Sequence, residues 1–161
     1  MINNDILRRL RYALSLNDQQ MLAIFKLMDN EIDKEYLHKI IAKEDAKDFT
    51  LCRDSLLALF LDGLIIHLRG KQEGRAPQPL KNKLNKNEVL RKLRIALALK
   101  AEDMIEILGL VDFRLSKSEL SAFFRKPGHR NYVEAGDQVV RNFLAGLTKK
   151  NRGDDITKQA Q

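Results

Sequence analysis

Residues 87–99 read NEVLRKLRIALAL, and 83 positions earlier residues 4–16 read NDILRRLRYALSL. The same offset continues without a gap through 4–70 and 87–153, where 22 of the 67 paired positions are identical. A gapless internal repeat of this length indicates a fold made from two copies of one unit. We therefore predict a first repeat over 1–70 and a second over 87–153.

Both repeats carry their apolar residues at helical spacing, as Leu7, Leu10 and Leu14 do, and neither alternates with the period of a β-strand. Each repeat is predicted to contain a first helix, two short helices and a longer fourth helix. Because a unit of this size is marginally stable alone, we expect the two to share a core. The prediction is an all-α fold of two tandem, pseudo-symmetric, roughly four-helix units packed into one compact body. The face of the fourth helix that should be buried carries Leu57, Phe60, Leu61, Leu64 and Leu68.

Residues that favour helix starts are placed where the helical pattern needs them. Asn4 and Asn87 are predicted to be N-caps of the first helix, since an asparagine side chain can accept a hydrogen bond from the first turn. The third helix is expected to start near Asp33 and near Ser116. Ser116 and Glu119 have the spacing of a capping box.

The fourth helix has an aspartate at its start and a glycine at its end in both repeats. We interpret Asp54 and Asp137 as N-caps, with a catalytic pair of carboxylates as one alternative. A second alternative is an ion pair with a first-helix arginine: Arg8, Arg11, Arg91 or Arg94. Gly70 and Gly153 each follow an arginine and are predicted to adopt a left-handed cap conformation.

Gly63 and Gly146 lie in the middle of the fourth helix, where glycine costs about 1 kcal/mol relative to alanine. Their presence in both repeats favours a close approach of another helix, and the alternative is backbone exposed to a ligand. Ala13 and Ala96 are candidates for the facing surface. Gly63→Leu is expected to destabilise the protein strongly.

Residues 71–86 form a basic connector between the repeats, with Pro77 and Pro79 favouring an extended chain. Residues 154–161 are polar and are expected to form a flexible tail. The net charge of +7 divides unevenly: the first repeat carries −1, the connector +4, the second repeat +5 and the tail −1. The basic character therefore belongs to the connector and the second repeat.

Composition restricts the class of protein. No apolar run approaches the roughly 20 residues of a membrane span, and no signal-peptide core precedes the first helix. Cys52 is the single cysteine, which favours a reducing, cytoplasmic compartment. We find no phosphate-cradling glycine loop, no nucleophile elbow and no metal-ligand spacing, and we predict neither a cofactor nor an enzyme. His38, His67 and His129 are interpreted as ordinary polar residues.

The basic residues of the second repeat and connector form a candidate surface for an anionic partner. We hypothesise a non-enzymatic binding module whose partner is nucleic acid, held through phosphate contacts. The alternatives are a solvated, charged helix face and an adaptor that binds a partner protein in the groove between the repeats. The candidate residues are Arg91, Lys92, Arg94, Arg125, Lys126, Arg130, Lys81, Lys83 and Lys86.

The second and third helices also suggest a DNA-reading helix-turn-helix, with Gly109 as the turn glycine. Against this, residues 111–115 make the connection longer than the usual three or four residues. Lys26 also occupies the position of that glycine in the first repeat. The helix-turn-helix remains a minor alternative.

The blocks NDILRRLRYAL, NEVLRKLRIALALKAEDMIEIL and KPGHRNYVEAGDQVVRNFLAGL resemble the YehS-like family of bacterial proteins. That family is built from a duplicated domain of unknown function, and the resemblance covers roughly residues 2–153. It implies a bacterial, cytoplasmic, all-helical protein. It supplies no catalytic or binding residues.

Overall fold

The computed structural model describes residues 1–71, Leu80 and residues 83–153. The described residues form eight α-helices and no β-strand, which confirms the all-α prediction. The helices are α1 (Asn3–Ala13), α2 (Asp18–Lys26), α3 (Lys34–Ile40), α4 (Asp54–Arg69), α5 (Lys86–Ala96), α6 (Ala101–Gly109), α7 (Lys117–Phe123) and α8 (Asp137–Arg152). Among these helices, none combines the length and apolar character that crossing a membrane requires.

Helices α5 to α8 repeat α1 to α4 at the offset of 83 residues, with the same bounds throughout. The turns repeat as well. Ser15 and Ala98, which follow the first helix of each repeat, have φ of 52° and 54°, and Asp29 and Asp112 have φ of 55° and 58°. Non-glycine residues rarely adopt positive φ, so its recurrence at equivalent positions indicates that both repeats fold in the same way.

Two segments assigned from sequence lie partly or wholly outside the described residues. The connector is described except for residues 72–79 and 81–82, which include Pro77, Pro79 and Lys81, and the whole tail 154–161 lies outside. Lys86, the last residue assigned to the connector, is the first residue of α5, and Asn85 is the N-cap of that helix.

The prediction that Asn4 and Asn87 cap the first helices is wrong. Both lie inside a helix and are buried, and each holds the loop that precedes the fourth helix of its own repeat. The Asn4 side chain donates to the carbonyl of Thr50 (2.8 Å) and accepts from the amide of Cys52 (2.7 Å). Asn87 repeats both bonds with Val133 (2.8 Å) and Ala135 (2.9 Å).

The N-cap interpretation of Asp54 and Asp137 is also wrong, because the N-caps are Arg53 and Gly136 and neither makes a side-chain cap bond. The aspartates bind the other repeat instead. Asp54 Oδ2 accepts from the backbone nitrogen of Leu84 (3.0 Å), and Asp137 Oδ2 accepts from that of Met1 (2.7 Å). Met1 and Leu84 are equivalent positions, so the two contacts form a reciprocal pair.

The two repeats join through two helix pairs, each with one helix from either repeat: α1 packs on α8, and α4 packs on α5. Asp137 meets Met1 at one end of the α1–α8 interface, and Asn151 donates to the carbonyl of Ala13 (2.9 Å) at the other. The two helices are therefore parallel. The α4–α5 pair is parallel too, and the contacts Asn3–Asp54, Asp54–Leu84 and Lys86–Asp137 bring the starts of all four helices to one end.

Gly63 and Gly146 are explained by helix packing. A Cβ at either position would overlap the backbone carbonyl of Ile24 or Ile107, on the second helix of the same repeat. The facing residues are therefore on α2 and α6, and the expectation that Ala13 and Ala96 face these glycines is wrong.

The fourth helix supplies much of the core. Leu57, Phe60, Leu61 and Leu64 are fully buried, whereas Leu68, expected to be buried, is 46% exposed because it lies in the last turn. Gly70 and Gly153 end the helices with positive φ (81° and 59°), which glycine adopts readily, but their ψ of 168° and −130° lies outside the left-handed helical conformation predicted for them.

Candidate functional site

The α5 members of the basic set are occupied by contacts within the protein. Arg91 makes a bidentate ion pair with Glu88, with Nε–Oε1 3.0 Å and Nη2–Oε2 2.9 Å. The hydrogen bonds to Glu88 raise the pKa of Arg91, and those from Arg91 lower the pKa of Glu88. Lys92 Nζ lies 2.5 Å from Asp62 Oδ1 of α4, and both side chains are 15% exposed.

Arg94 is also engaged. Its Nε donates to the carbonyl of Leu99 (3.1 Å), and its guanidinium lies 4.8 Å from the ring centroid of Phe124. A cation in contact with both a carbonyl and an aromatic face is partly desolvated and held in place. Arg91, Lys92 and Arg94 therefore serve the fold of α5 and its contacts.

The loop between α7 and α8, residues 124–136, carries the exposed part of the basic set. Arg125, Lys126 and Arg130 are exposed, and their side chains form no hydrogen bond or ion pair within the described ranges 1–71 and 83–153. Exposed cations without an acidic partner keep their full charge available to an anion. Glu134 is the one acidic residue of this loop.

The α7–α8 loop is anchored at the start of α5. Besides its bond to Val133, the Asn87 amide donates to the carbonyl of Phe123 (2.9 Å), the last residue of α7. The Asn85 amide lies 3.5 Å from the hydroxyl of Tyr132. Two anchors on the first turn of one helix hold the loop beside the positive end of the α5 dipole.

Two connector lysines lie at this same helix start. Lys83 is exposed, and its side chain has no described partner. Lys86 is half-buried, 3.8 Å from Asp137 Oδ1. Lys83 and Lys86 therefore lie at the helix start to which the α7–α8 loop is anchored.

The equivalent loop of the first repeat, residues 41–53, is held in the same way by Asn4 but has a different charge. Its cations Lys43, Lys47 and Arg53 are matched by three acids, Glu44, Asp45 and Asp48. Because the two backbones share one anchoring scheme, the charge difference arises from side chains alone. Only the α7–α8 loop presents an excess of positive charge.

The helix-turn-helix alternative does not fit the geometry. The connection between α6 and α7 spans residues 110–116, and Gly109 ends α6 with open space around it. The left-handed turn residue is Asp112. The helix that would have to read the DNA groove, α7, has seven residues.

Elsewhere in the described residues, the titratable groups with shifted pKa values make contacts within the fold and do not form a recognisable reactive site. No group of three or more candidate metal ligands occurs in that part of the chain. Asp18 forms an ion pair with Arg11 (Nη2–Oδ1 2.6 Å), and its Oδ2 lies 2.9 Å from His38 Nε2. Burial would raise the pKa of Asp18, but the contacts with His38 and Arg11 lower it. Burial, aided by the charge of Asp54, raises the pKa of Cys52 to about 12, so this thiol is not a nucleophile at neutral pH.

The residues that sequence reasoning misassigned were visible as identities between the repeats. Asn4, Asn87, Asp54 and Asp137 all lie near helix starts, where caps are common. Their partners are 30 to 136 residues away, and short-range patterns carry no information about such contacts.

A family model described as a protein of unknown function, DUF1456, matches the chain twice, over residues 3–70 and 86–153. The chain is 41% identical over 150 residues to the uncharacterized protein YehS of Escherichia coli strain K12. That alignment covers 93% of this chain and 96% of YehS. No solved structure matches the chain.

Proposed function

The chain belongs to the DUF1456 family, and we propose that it is a non-enzymatic, cytoplasmic binding module whose second repeat contacts the phosphates of nucleic acid. The observation that carries this proposal is the α7–α8 loop. It presents three exposed cations that have no acidic partner among residues 1–71 and 83–153, whereas the equivalent loop of the first repeat carries as many acids as cations.

Phosphate contacts made by a few flexible cations give binding with little sequence selectivity. Such binding releases counterions, so its affinity falls steeply as salt rises. The chain has no tryptophan, and Phe25, Phe60, Phe123 and Phe143 are buried. Few aromatic rings remain for stacking on unpaired bases, and the proposal therefore favours duplex backbone over single strands.

The test is a titration of the protein with mixed DNA and RNA at about 50 and 200 mM salt. The informative variant is Lys126→Gln/Arg130→Gln. Its matched control is Lys43→Gln/Lys47→Gln, which makes the same charge change at the equivalent, exposed positions of the first repeat. We expect wild type and control to bind in low salt and the loop variant to lose about tenfold in affinity.

Two results would contradict the proposal. One is the absence of binding by the wild type at low salt. The other is an equal loss in the two double variants, which would assign the binding to net charge alone.

An adaptor function is the second candidate, and exposed apolar residues favour it. Leu51 is 55% exposed and Val133 is 49% exposed, on the equivalent loops at the N-terminal end. Leu51 lines a shallow pocket with Ile2 and Arg53. A pull-down from nuclease-treated bacterial lysate tests this function: a partner lost on Leu51→Ser supports the adaptor, and no partner argues against it.

A further inference from the structure

Residues 126–132 form two consecutive β-turns within the α7–α8 loop, and we call this segment the double turn. The backbone amide of His129 donates to the carbonyl of Lys126 (3.0 Å), and the amide of Tyr132 donates to the carbonyl of His129 (2.9 Å). The first repeat has the same two turns over residues 43–49, closed by amide–carbonyl bonds of 2.9 and 3.2 Å. The side chains of the two repeats can therefore be compared position by position.

The two double turns differ most in their charged and hydrogen-bonding side chains. Both have cations at the same two positions, which are Lys43 and Lys47 in the first repeat and Lys126 and Arg130 in the second. The three acids of the first repeat, Glu44, Asp45 and Asp48, are replaced by the uncharged Pro127, Gly128 and Asn131. His129 stands where the first repeat has Ala46. The double turn of the second repeat thus has no acid and carries an additional imidazole ring.

The backbone holds the ring of His129 in one tautomer. The amide nitrogen of Asn131 lies 3.0 Å from His129 Nδ1, and Nδ1 must accept this bond because a backbone N–H can only donate. The ring therefore carries its proton on Nε2. His129 is exposed, and no atom of residues 1–71 and 83–153 accepts from Nε2. An uncharged donor is thus available in the same turn as Lys126.

The double turn is also fixed at its base. The amide of Val133 donates to the carbonyl of Ala122 on α7 (3.1 Å). The Asn87 side chain of α5 donates to the carbonyls of Phe123 (2.9 Å) and Val133 (2.8 Å), which lie on either side of the double turn. A surface that is held in place before binding loses less conformational entropy when a ligand arrives.

We propose that His129 Nε2 donates to the same phosphate that Lys126 contacts, so that the double turn binds nucleic acid through a neutral donor as well as through cations. This inference rests on the proposed function and names a further binding residue for it. The first and last residues of a β-turn have Cα atoms less than about 7 Å apart, so both side chains can reach one phosphate. A hydrogen bond to an ionised acceptor is stronger than one between neutral groups. Because the ring is uncharged, its bond adds affinity without releasing a counterion.

The experiment is a titration of the full chain with duplex DNA at several salt concentrations between about 50 and 200 mM. It is carried out at about pH 8, above the ordinary titration range of imidazole. His129→Ala, which installs the residue of the first repeat, should lose about fivefold in affinity at every salt concentration. Its salt dependence should equal that of wild type. Lys126→Gln should instead reduce the slope of log affinity against log salt by about one.

Two further variants separate contact with phosphate from support of the turn. His129→Asn retains an acceptor near the position of Nδ1 for the Asn131 amide but has no donor at the position of Nε2, and it should bind like His129→Ala. His129→Gln has an amide donor near the position of Nε2 and should recover part of the affinity. His67→Ala removes an exposed histidine from the last turn of α4 and is the matched control, which should bind like wild type.

Three results would overturn the assignment of His129. The first is wild-type affinity in His129→Ala while Lys126→Gln/Arg130→Gln binds more weakly, an outcome that leaves the proposed function intact. The second is wild-type affinity in His129→Asn, which would mean that the ring only supports the turn. The third is a reduced salt slope in His129→Ala, which would mean that the ring binds as a cation. If wild type does not bind DNA at low salt, the proposed function fails together with this inference.

Discussion

The α1–α8 and α4–α5 interfaces are equivalent by sequence, yet they are alike at only one end. At the N-terminal end, Asp54 and Asp137 each bind the backbone nitrogen at the start of the other repeat. In the middle, α4–α5 has the Lys92–Asp62 pair, whereas α1–α8 has Arg9 and the uncharged Ala145 at the equivalent positions. The N-terminal ends of the two interfaces therefore make the same contact, and the middles do not.

The C-terminal ends of the two interfaces differ as well. Arg152 of α8 donates to the carbonyl of Tyr12 (3.3 Å) and to Ser15 Oγ (2.7 Å), and its guanidinium lies 4.0 Å from the Tyr12 ring centroid. The equivalent residues of the α4–α5 interface, Arg69 and Ile95, are exposed. At this end, the α1–α8 interface is thus held by hydrogen bonds and a cation–π contact of Arg152, whereas the equivalent residues of the α4–α5 interface are exposed to solvent.

This comparison indicates what the duplication retained. Contacts that set the register of the two repeats are the same in both, because a change in either would shift a whole helix pair. Contacts along the rest of each interface are side-chain interactions that can change independently. The Lys92–Asp62 pair, which α1–α8 lacks because Ala145 stands at the position of Asp62, lies in that tolerant part.

The largest effect is expected where the repeats are identical and tightly packed. Gly63→Leu and Gly146→Leu should each destabilise the protein by about 3 kcal/mol or more, because the new side chain meets a backbone carbonyl that cannot move aside. Urea unfolding followed by circular dichroism measures the loss. Gly109→Ala is the control: this helical glycine has open space around it and should gain up to about 1 kcal/mol. Equal stability of Gly63→Leu and wild type would refute the packing explanation.

The next largest effect concerns the loop anchors. Asn4→Ala and Asn87→Ala should each cost about 2–3 kcal/mol, because a buried amide and carbonyls lose their partners. Asn87→Ala should also increase amide hydrogen exchange in residues 124–136 without affecting residues 41–53, and Asn4→Ala should do the reverse. Exchange that rises in both loops with either variant would contradict independent anchoring.

Whether a feature could be predicted from the sequence depends on how far apart along the chain the interacting residues are. The repeat, the helices, the Ser116–Glu119 capping box and the glycine ends follow from periodicity and local spacing. The roles of Asn4 and Asp54 do not, because their partners are distant in sequence. The packing of α1 on α8 and of α4 on α5 could not be predicted either. The same apolar pattern would be satisfied if α1 packed on α4 within one repeat.

The candidate surface illustrates the same limit. Nine cations were grouped by charge and position, but ion pairing depends on which acid a neighbouring helix presents. Asp62 engages Lys92, and Glu88 engages Arg91, so these cations serve the fold. The cations of the α7–α8 loop are exposed, and Glu134 is the one acid of that loop.

A smaller loss of stability is expected when the Lys92–Asp62 ion pair in the middle of the α4–α5 interface is removed. Asp62→Asn should cost about 1–2 kcal/mol, because Lys92 would stay largely buried without its charged partner. A double-mutant cycle with Lys92→Met isolates the pair, and we expect the second substitution to recover part of the loss. Additive effects of the two substitutions would indicate that the pair does not couple the repeats.

The smallest effect is expected at the N-terminal ends of the α1–α8 and α4–α5 interfaces, where Asp137 and Asp54 make similar contacts with different kinds of nitrogen. Asp137 accepts from the Met1 amino group, which is chiefly why its pKa is lowered below the ordinary 3.8, whereas Asp54 accepts from the neutral amides of Asn3 and Leu84. Because the pKa of Asp137 is lower in the folded than in the unfolded protein, its contact with Met1 stabilises the fold fully at pH values above the unfolded-state pKa. This stabilisation is lost as the pH falls through the folded-state pKa. Since Asp137 is 46% exposed, Asp137→Asn should cost under about 1 kcal/mol at pH 6 and almost nothing near pH 3. Salt should reduce the cost of Asp137→Asn at pH 6 but leave that of Asp54→Asn unchanged. Urea unfolding at both pH values and two salt concentrations measures this, and an equal salt dependence would mean that both ends rely on the same kind of contact.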